Sequence, residues 1–126
     1  LLAIQIEPIM RQAIGAVPVV VVSDMISEMK MVKHFIQKMY SSNRVEIHEY
    51  LLNAMELPEL KAYENSIIVI NKLFRNLTPY FQLHSSNEVV YVTAEMNSYD
   101  MIEISRALVA QEEKRLIEKI AYCKEV

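Results

Sequence analysis

Only one glycine, Gly15, stands in the 126 residues of this chain, beside four prolines. Glycine supplies the left-handed backbone of many tight turns at no steric cost, so a chain nearly without it has few cheap places to reverse and favours long elements. The apolar share of 52% is high for a small soluble monomer. Together these features predict a mainly helical protein with an adhesive surface. At this length one domain spanning 1–126 is expected, burying roughly 65 to 70% of the surface its unfolded chain exposes. Thirteen Lys and Arg against sixteen Asp and Glu leave a net charge of −3, too near neutral for a general polyanion binder.

The lone Cys123 cannot close an internal disulfide, which favours a reducing intracellular setting, cytoplasmic or nuclear. The longest apolar run, Val19 to Val22 with Ala16 and Val17 just before it, is far short of the roughly 20 residues that span a bilayer. Glu7 and Arg11 interrupt the first stretch, which therefore does not read as a signal peptide. A start at Leu1-Leu2 fits a fragment of a longer protein.

Residues 1–17 place Leu2, Ile6, Ile9, Met10 and Ile14 on roughly one side, a docking helix that Gly15 would end. The β-branched run Pro18 to Val22 is extended, and Ser23 and Asp24 are good caps for a helix over 24–41. There the apolar positions Val22, Met25, Met29, Val32, Ile36 and Met39 follow a 3-4-3-4-3 rhythm. Asn43 with Glu46 resembles a capping box, and Val45, Ile47, Leu51, Leu52 and Met55 predict a helix over 44–57. Leu60, Tyr63, Ile67, Ile70, Phe74 and Leu77 repeat the rhythm and predict another over 58–77, stopped by Pro79. Beyond it the period becomes alternating: Tyr80 to Leu83, turn residues Ser85 to Asn87, then Val89 to Thr93 predict a β-hairpin over 80–93. Asn97 and Ser98 cap a final helix over 98–124, in which Ile102, Val109, Leu116 and Cys123 recur by sevens. The wholly polar stretch Gln111 to Arg115 predicts that this helix projects from the body.

The resulting fold class is mainly α with a small β-hairpin. Pro79-Tyr80-Phe81 and Val89-Val90-Tyr91-Val92 would form a wing, and with the Leu57-Pro58 turn the order resembles a winged-helix domain over 24–93. The long helix behind it is similar to the tail of PCI-domain subunits, which implies a role in assembling multi-subunit complexes. A helical bundle with a β-hairpin arm is the alternative.

Motifs for chemistry are missing from the sequence. His48-Glu49-Tyr50-Leu51-Leu52 has Leu52 where a zinc-protease helix needs its second histidine, and His34 and His84 fall in other elements. Cys123 sits at a helix C-terminus, where the helix dipole disfavours the thiolate, and no Gly-rich loop exists to cradle phosphate. The sequon Asn76-Leu77-Thr78 is followed by proline and reads as chance. No cofactor, metal, membrane or small-molecule substrate is expected. The expected function is a non-enzymatic interaction or assembly module, homo-oligomeric or bound to a protein partner. Its surface would be Ile68, Val69 and Lys72 on the outer face of the third helix and Ile102, Val109 and Leu116 on the last. The alternative is a weak nucleic-acid binder using Lys30, Lys33, Lys38, Arg44, Lys72 and Arg75. Whether these residues form one contiguous basic face discriminates the two readings.

Overall fold

A computed structural model of the chain describes residues 14–52 and 60–125. Strand β1 (Val17–Ser23) leads to helix α1 (Ile26–Met39), β2 (Val45–Leu51), β3 (Ile67–Asn71), a 3-10 segment (Lys72–Phe81), β4 (Glu88–Val92) and helix α2 (Ser98–Glu125). The four strands form one parallel sheet in the order β2-β1-β3-β4. Val17 to Ser23 run beside Val45 to Leu51, Val19 to Val22 beside Ile67 to Ile70, and Ile67 to Asn71 beside Glu88 to Val92. This is an α/β architecture, so the expected mainly helical fold with a β-hairpin, and with it the winged-helix arrangement over 24–93, is incorrect.

Both faces of the sheet are covered. Val17, Val19, Val21, Ile67, Val69, Val90 and Val92 meet Met29, Val32 and Ile36 of α1 and Ile104, Ala107 and Leu108 of α2. Val20, Val22, Ile68 and Ile70 point the other way, toward Leu60, Phe81 and the half-buried Tyr63 and Phe74. A parallel strand enclosed on both sides has no polar face, so its residues are apolar without alternation. That is why Val19 to Val22 and Ile67 to Ile70 carry uninterrupted β-branched side chains.

The two helices at either end of the described chain agree with the spacing, within the residue or two by which helix ends vary. The helix expected over 44–57 is β2 across 45–51, and the one expected over 58–77 is divided between β3 and the 3-10 segment. The rhythm from Leu60 to Leu77 thus joins residues of different elements and different surroundings: Leu60, Tyr63, Ile70 and Phe74 belong to the second core, Ile67 to the first, and Leu77 is exposed. The strand expected at 88–93 exists, but it pairs with β3 in parallel rather than with 80–83 in a hairpin. The docking helix expected over 1–17 falls outside the described residues except at its end, where Val17 already belongs to β1.

The scarcity of glycine is met in an unexpected way. Asn65, Gln82 and Met96 adopt left-handed backbone with φ of 54°, 53° and 52°, while Gly15 does so at 72°. Side-chain-bearing residues cost about 1 to 2 kcal/mol each in that region, a cost the enclosed sheet offsets. Turns were therefore available to this chain without glycine, and short elements with them.

Candidate interaction surface

Helix α2 is bound to the body from its first turn. The Asp100 carboxylate, almost wholly buried, accepts hydrogen bonds through Oδ2 from the Thr93 N–H (2.9 Å), the Thr93 hydroxyl (2.6 Å) and the Asn97 N–H (3.2 Å). Asn97 Oδ1 accepts the Asp100 N–H in return at 2.9 Å, the reciprocal pattern of a capping box. Asn97 thus fulfils the capping role expected of it.

The polar middle of α2 turns inward, contrary to expectation. Gln111 Nε2 donates to the carbonyl oxygens of Ser66 (3.0 Å) and Ser86 (2.9 Å), just ahead of β3 and β4. Lys114 Nζ reaches the same Ser86 oxygen at 2.9 Å. Arg115 Nη1 donates to the carbonyls of Ile14 and Ala16, just ahead of β1. Glu112 receives Arg44 in a two-pronged pair at 2.7 and 3.2 Å, just ahead of β2. That hydrogen-bonded pairing with Glu112 raises the Arg44 guanidinium above its ordinary value. Gln111, Glu112, Lys114 and Arg115 therefore tie α2 to the amino ends of all four strands and do not mark a projecting arm, while Glu113 between them faces outward.

The opposite side of the same helix is apolar, and among the described residues nothing covers it. Tyr99, Ile102, Val109, Ile117 and Ile120 have exposures of 38 to 66%. At 100° per residue these positions, with Arg106, Ala110 and Glu113, fall within an arc of about 100°. Between them Ile102, Arg106, Val109 and Ala110 line a shallow apolar depression of about 450 Å³. A surface helix with one apolar face hides it in the core. This helix has a second.

The expected site residues separate accordingly. Ile102 and Val109 are exposed on this stripe and Leu116 is half-buried at its flank. Ile68 and Val69 are not surface residues at all: they lie in the centre of β3 at 0% and 1% exposure, packed into the two cores. Lys72 is exposed on the 3-10 segment, away from α2. Sequence reasoning missed Tyr99, Ile117 and Ile120, for which the signal was present as a second apolar arc offset from the first.

The basic residues do not form one face. Lys30 and Lys33 both bind Glu49, at 2.8 and 2.9 Å, and those hydrogen bonds, Lys30 first, hold the Glu49 carboxyl below its ordinary value. Arg44 is engaged by Glu112 and lies against the Tyr40 ring. Lys38 is exposed near the end of α1, whereas Arg75 stacks over Tyr91 on the far side of the sheet, 4.5 Å from the ring centroid.

In open parallel sheets ligands collect at the carboxyl ends of the strands where the order reverses, here between β1 and β3. Ser23 and Asn71 stand there, but their polar atoms are spent locally. Ser23 Oγ accepts the Met25 N–H, and Asn71 donates to Glu28 at 2.7 Å while accepting the Leu73 N–H. The rim is mixed, with Met25, Ile26 and Leu73 exposed beside Asp24 and Lys72. Among the described residues no three His, Cys, Asp or Glu side chains converge as a metal site, and no helix is long and apolar enough to cross a membrane. No protein-family model, curated protein or solved structure matches this chain.

Proposed function

We propose that the chain is a non-enzymatic protein–protein interaction module, working inside the cell, that assembles through the outward face of α2. One observation carries this reading: α2 has apolar residues on two opposite sides and its own fold covers one of them. Burying a side chain such as isoleucine is worth roughly 1.5 to 3 kcal/mol, so five exposed apolar residues in a row offer a partner a substantial gain. The charged residues among them, Arg106 and Glu113, would set register. The intracellular setting rests on the single cysteine. Nucleic acid is the weaker reading, since Lys30, Lys33 and Arg44 are already paired with carboxylates and Lys72 and Arg75 lie elsewhere.

A photo-crosslinking residue at Ala110, compared with one at the exposed Lys61, tests the surface in cells. Adducts with protein at 110 that are absent at 61, and that vanish when Ile102 and Ile117 are both changed to Glu, are expected. Equal or no adducts at the two positions would remove the surface from consideration.

A further inference from the structure

The outward face of α2 is complementary to itself when reversed. The two-sided helix leaves Tyr99, Ile102, Arg106, Val109, Ala110, Glu113, Ile117 and Ile120 pointing away from the sheet. Lay a second α2 against the first in the opposite direction, with the two-fold axis between Val109 and Ala110. Each position then faces the one equally far from that axis on the other side. Tyr99 meets Ile120, Ile102 meets Ile117, Arg106 meets Glu113 and Val109 meets Ala110. Among the described side chains every exposed large apolar residue of the helix finds an apolar partner, and the guanidinium and carboxylate of the stripe find each other twice.

We propose that the occupant of this surface is a second copy of the same chain, bound through an antiparallel α2–α2 contact in this register. The proposal rests on the assembly reading above and adds the partner and its orientation. A two-fold contact must use one patch on both subunits, self-complementary in shape and charge. A parallel pairing fails that requirement here, because Arg106 would lie beside Arg106 and Glu113 beside Glu113. The small Ala110 opposite Val109 lets the helices approach closely at the axis, where the apolar depression lies. Arg106 already holds Glu103 through one Nη at 3.2 Å, but its guanidinium carries five donors and retains others for a carboxylate across the axis.

Tyr99 to Ile120 spans about 32 Å of helix at 1.5 Å per residue. A seam of that length and one helix wide falls at the small end of specific interfaces. Association is therefore expected to depend on concentration, with half of the chain dimeric at roughly tens of micromolar.

Sedimentation equilibrium of the full chain from about 5 to 500 µM reads this directly. The mass should rise from that of the 14.6 kDa chain toward twice that value. Arg106→Glu or Glu113→Arg alone places like charges together at two symmetric points and should weaken dimerisation about tenfold or more. The double variant restores opposite charges at both points and should return to within a few-fold of the parent. Both side chains are at the surface, so circular dichroism should stay unchanged in all three. In a Cys123→Ser background, a mixture of Ile102→Cys and Ile117→Cys chains should cross-link on oxidation, while Ile102→Cys alone should not. A monomer throughout the range, a double variant as weak as the singles, or cross-linking of Ile102→Cys to itself would overturn the proposal. If the chain stays monomeric while Ala110 still crosslinks to a different protein in cells, the second copy is refuted and the interaction surface stands. If neither occurs, both fall.

Discussion

Asp100 sets the direction in which α2 leaves the sheet, and its removal has a calculable cost. Its Oδ2 accepts three donors, from the Thr93 N–H, the Thr93 hydroxyl and the Asn97 N–H. Hydrogen bonds to an ionised acceptor contribute about 1.5 to 3 kcal/mol each when the donor is otherwise left dry. Asn97 is exposed and its N–H can turn to water, whereas Thr93 is half-buried beneath the corner. Only the two Thr93 donors should count, each at the low end of that range because Thr93 is only half-buried, so Asp100→Ala is expected to cost about 3 kcal/mol. Asp100→Asn keeps an oxygen in the same place and forfeits only the charge, for about 1 kcal/mol. Against a total stability of about 5 to 15 kcal/mol, the first is a severe loss and the second a mild one. Urea denaturation at pH 7 separates them, because a 2 kcal/mol difference moves the midpoint by about 1 M at typical slopes. If Asp100→Ala lay within 1 kcal/mol of the parent, or Asp100→Asn were as damaging as Asp100→Ala, the acceptor role assigned to the carboxylate would be wrong.

Adjacent positions on α2 should respond oppositely to truncation: Leu108→Ala, wholly buried, by about 3 to 5 kcal/mol, and Val109→Ala, on the outer stripe, by under about 0.5 kcal/mol in monomer stability. Comparable shifts in the two denaturation curves would reverse the helix facing. Glu49 is held below its ordinary value by Lys30 and Lys33, so its contribution is full above about pH 4.5 and disappears as the pH falls through the lower folded value. Glu49→Gln should accordingly be less stable than the parent at pH 6 and converge with it under acid; a gap that widened on acidification would contradict the pairing.

Periodicity identified α1 because one of its sides lies in the core and the other is largely polar, whereas α2 was legible through Ile102, Val109 and Leu116, which lie on its outer side and not in the core. It failed on β2, an edge strand with Glu46, His48 and Glu49 among its residues, because Val45, Ile47, Leu51 and Leu52 also suit a helical spacing, and on β3 for a different reason. A strand covered on both faces is continuously apolar, and over four or five residues such a run satisfies a helical template as readily as an extended one. What speaks against a helix in Ile67 to Ile70 is β-branching, four such residues in succession, which costs side-chain freedom in a helix and little in a sheet. Val19 to Val22 has the same β-branching and reads as extended; the difference is only that a longer rhythm runs through Ile67 and Ile70. At 88–92 the strand was legible but its partner was not. Nearness in sequence favoured a hairpin, while the 3-10 segment, carrying Phe74 and Phe81 across the second face, returns the chain for a parallel pairing.

The site was legible in part because Ile102 and Val109 belong to a sevenfold recurrence, and misread in part because polarity was equated with solvent. Gln111, Glu112, Lys114 and Arg115 are polar and face inward, since the amino ends of a parallel sheet present backbone groups that a side chain must satisfy or water must reach. Gln111 does so for the carbonyls ahead of β3 and β4, where Ser66 also accepts the Glu88 N–H and Ser86 the Lys114 ammonium. A helix fastened along one side by hydrogen bonds needs fewer apolar residues there to hold it. Among the described residues the apolar side chains on its other side have no part in the core: Ile104 and Leu108 fill it, while Ile102 and Ile117 stay exposed. Exposed isoleucines lower solubility without stabilising the monomer, and five large apolar side chains on one arc of one helix, with opposite charges spaced symmetrically about its centre, are explained by the contact they can make with a reversed copy.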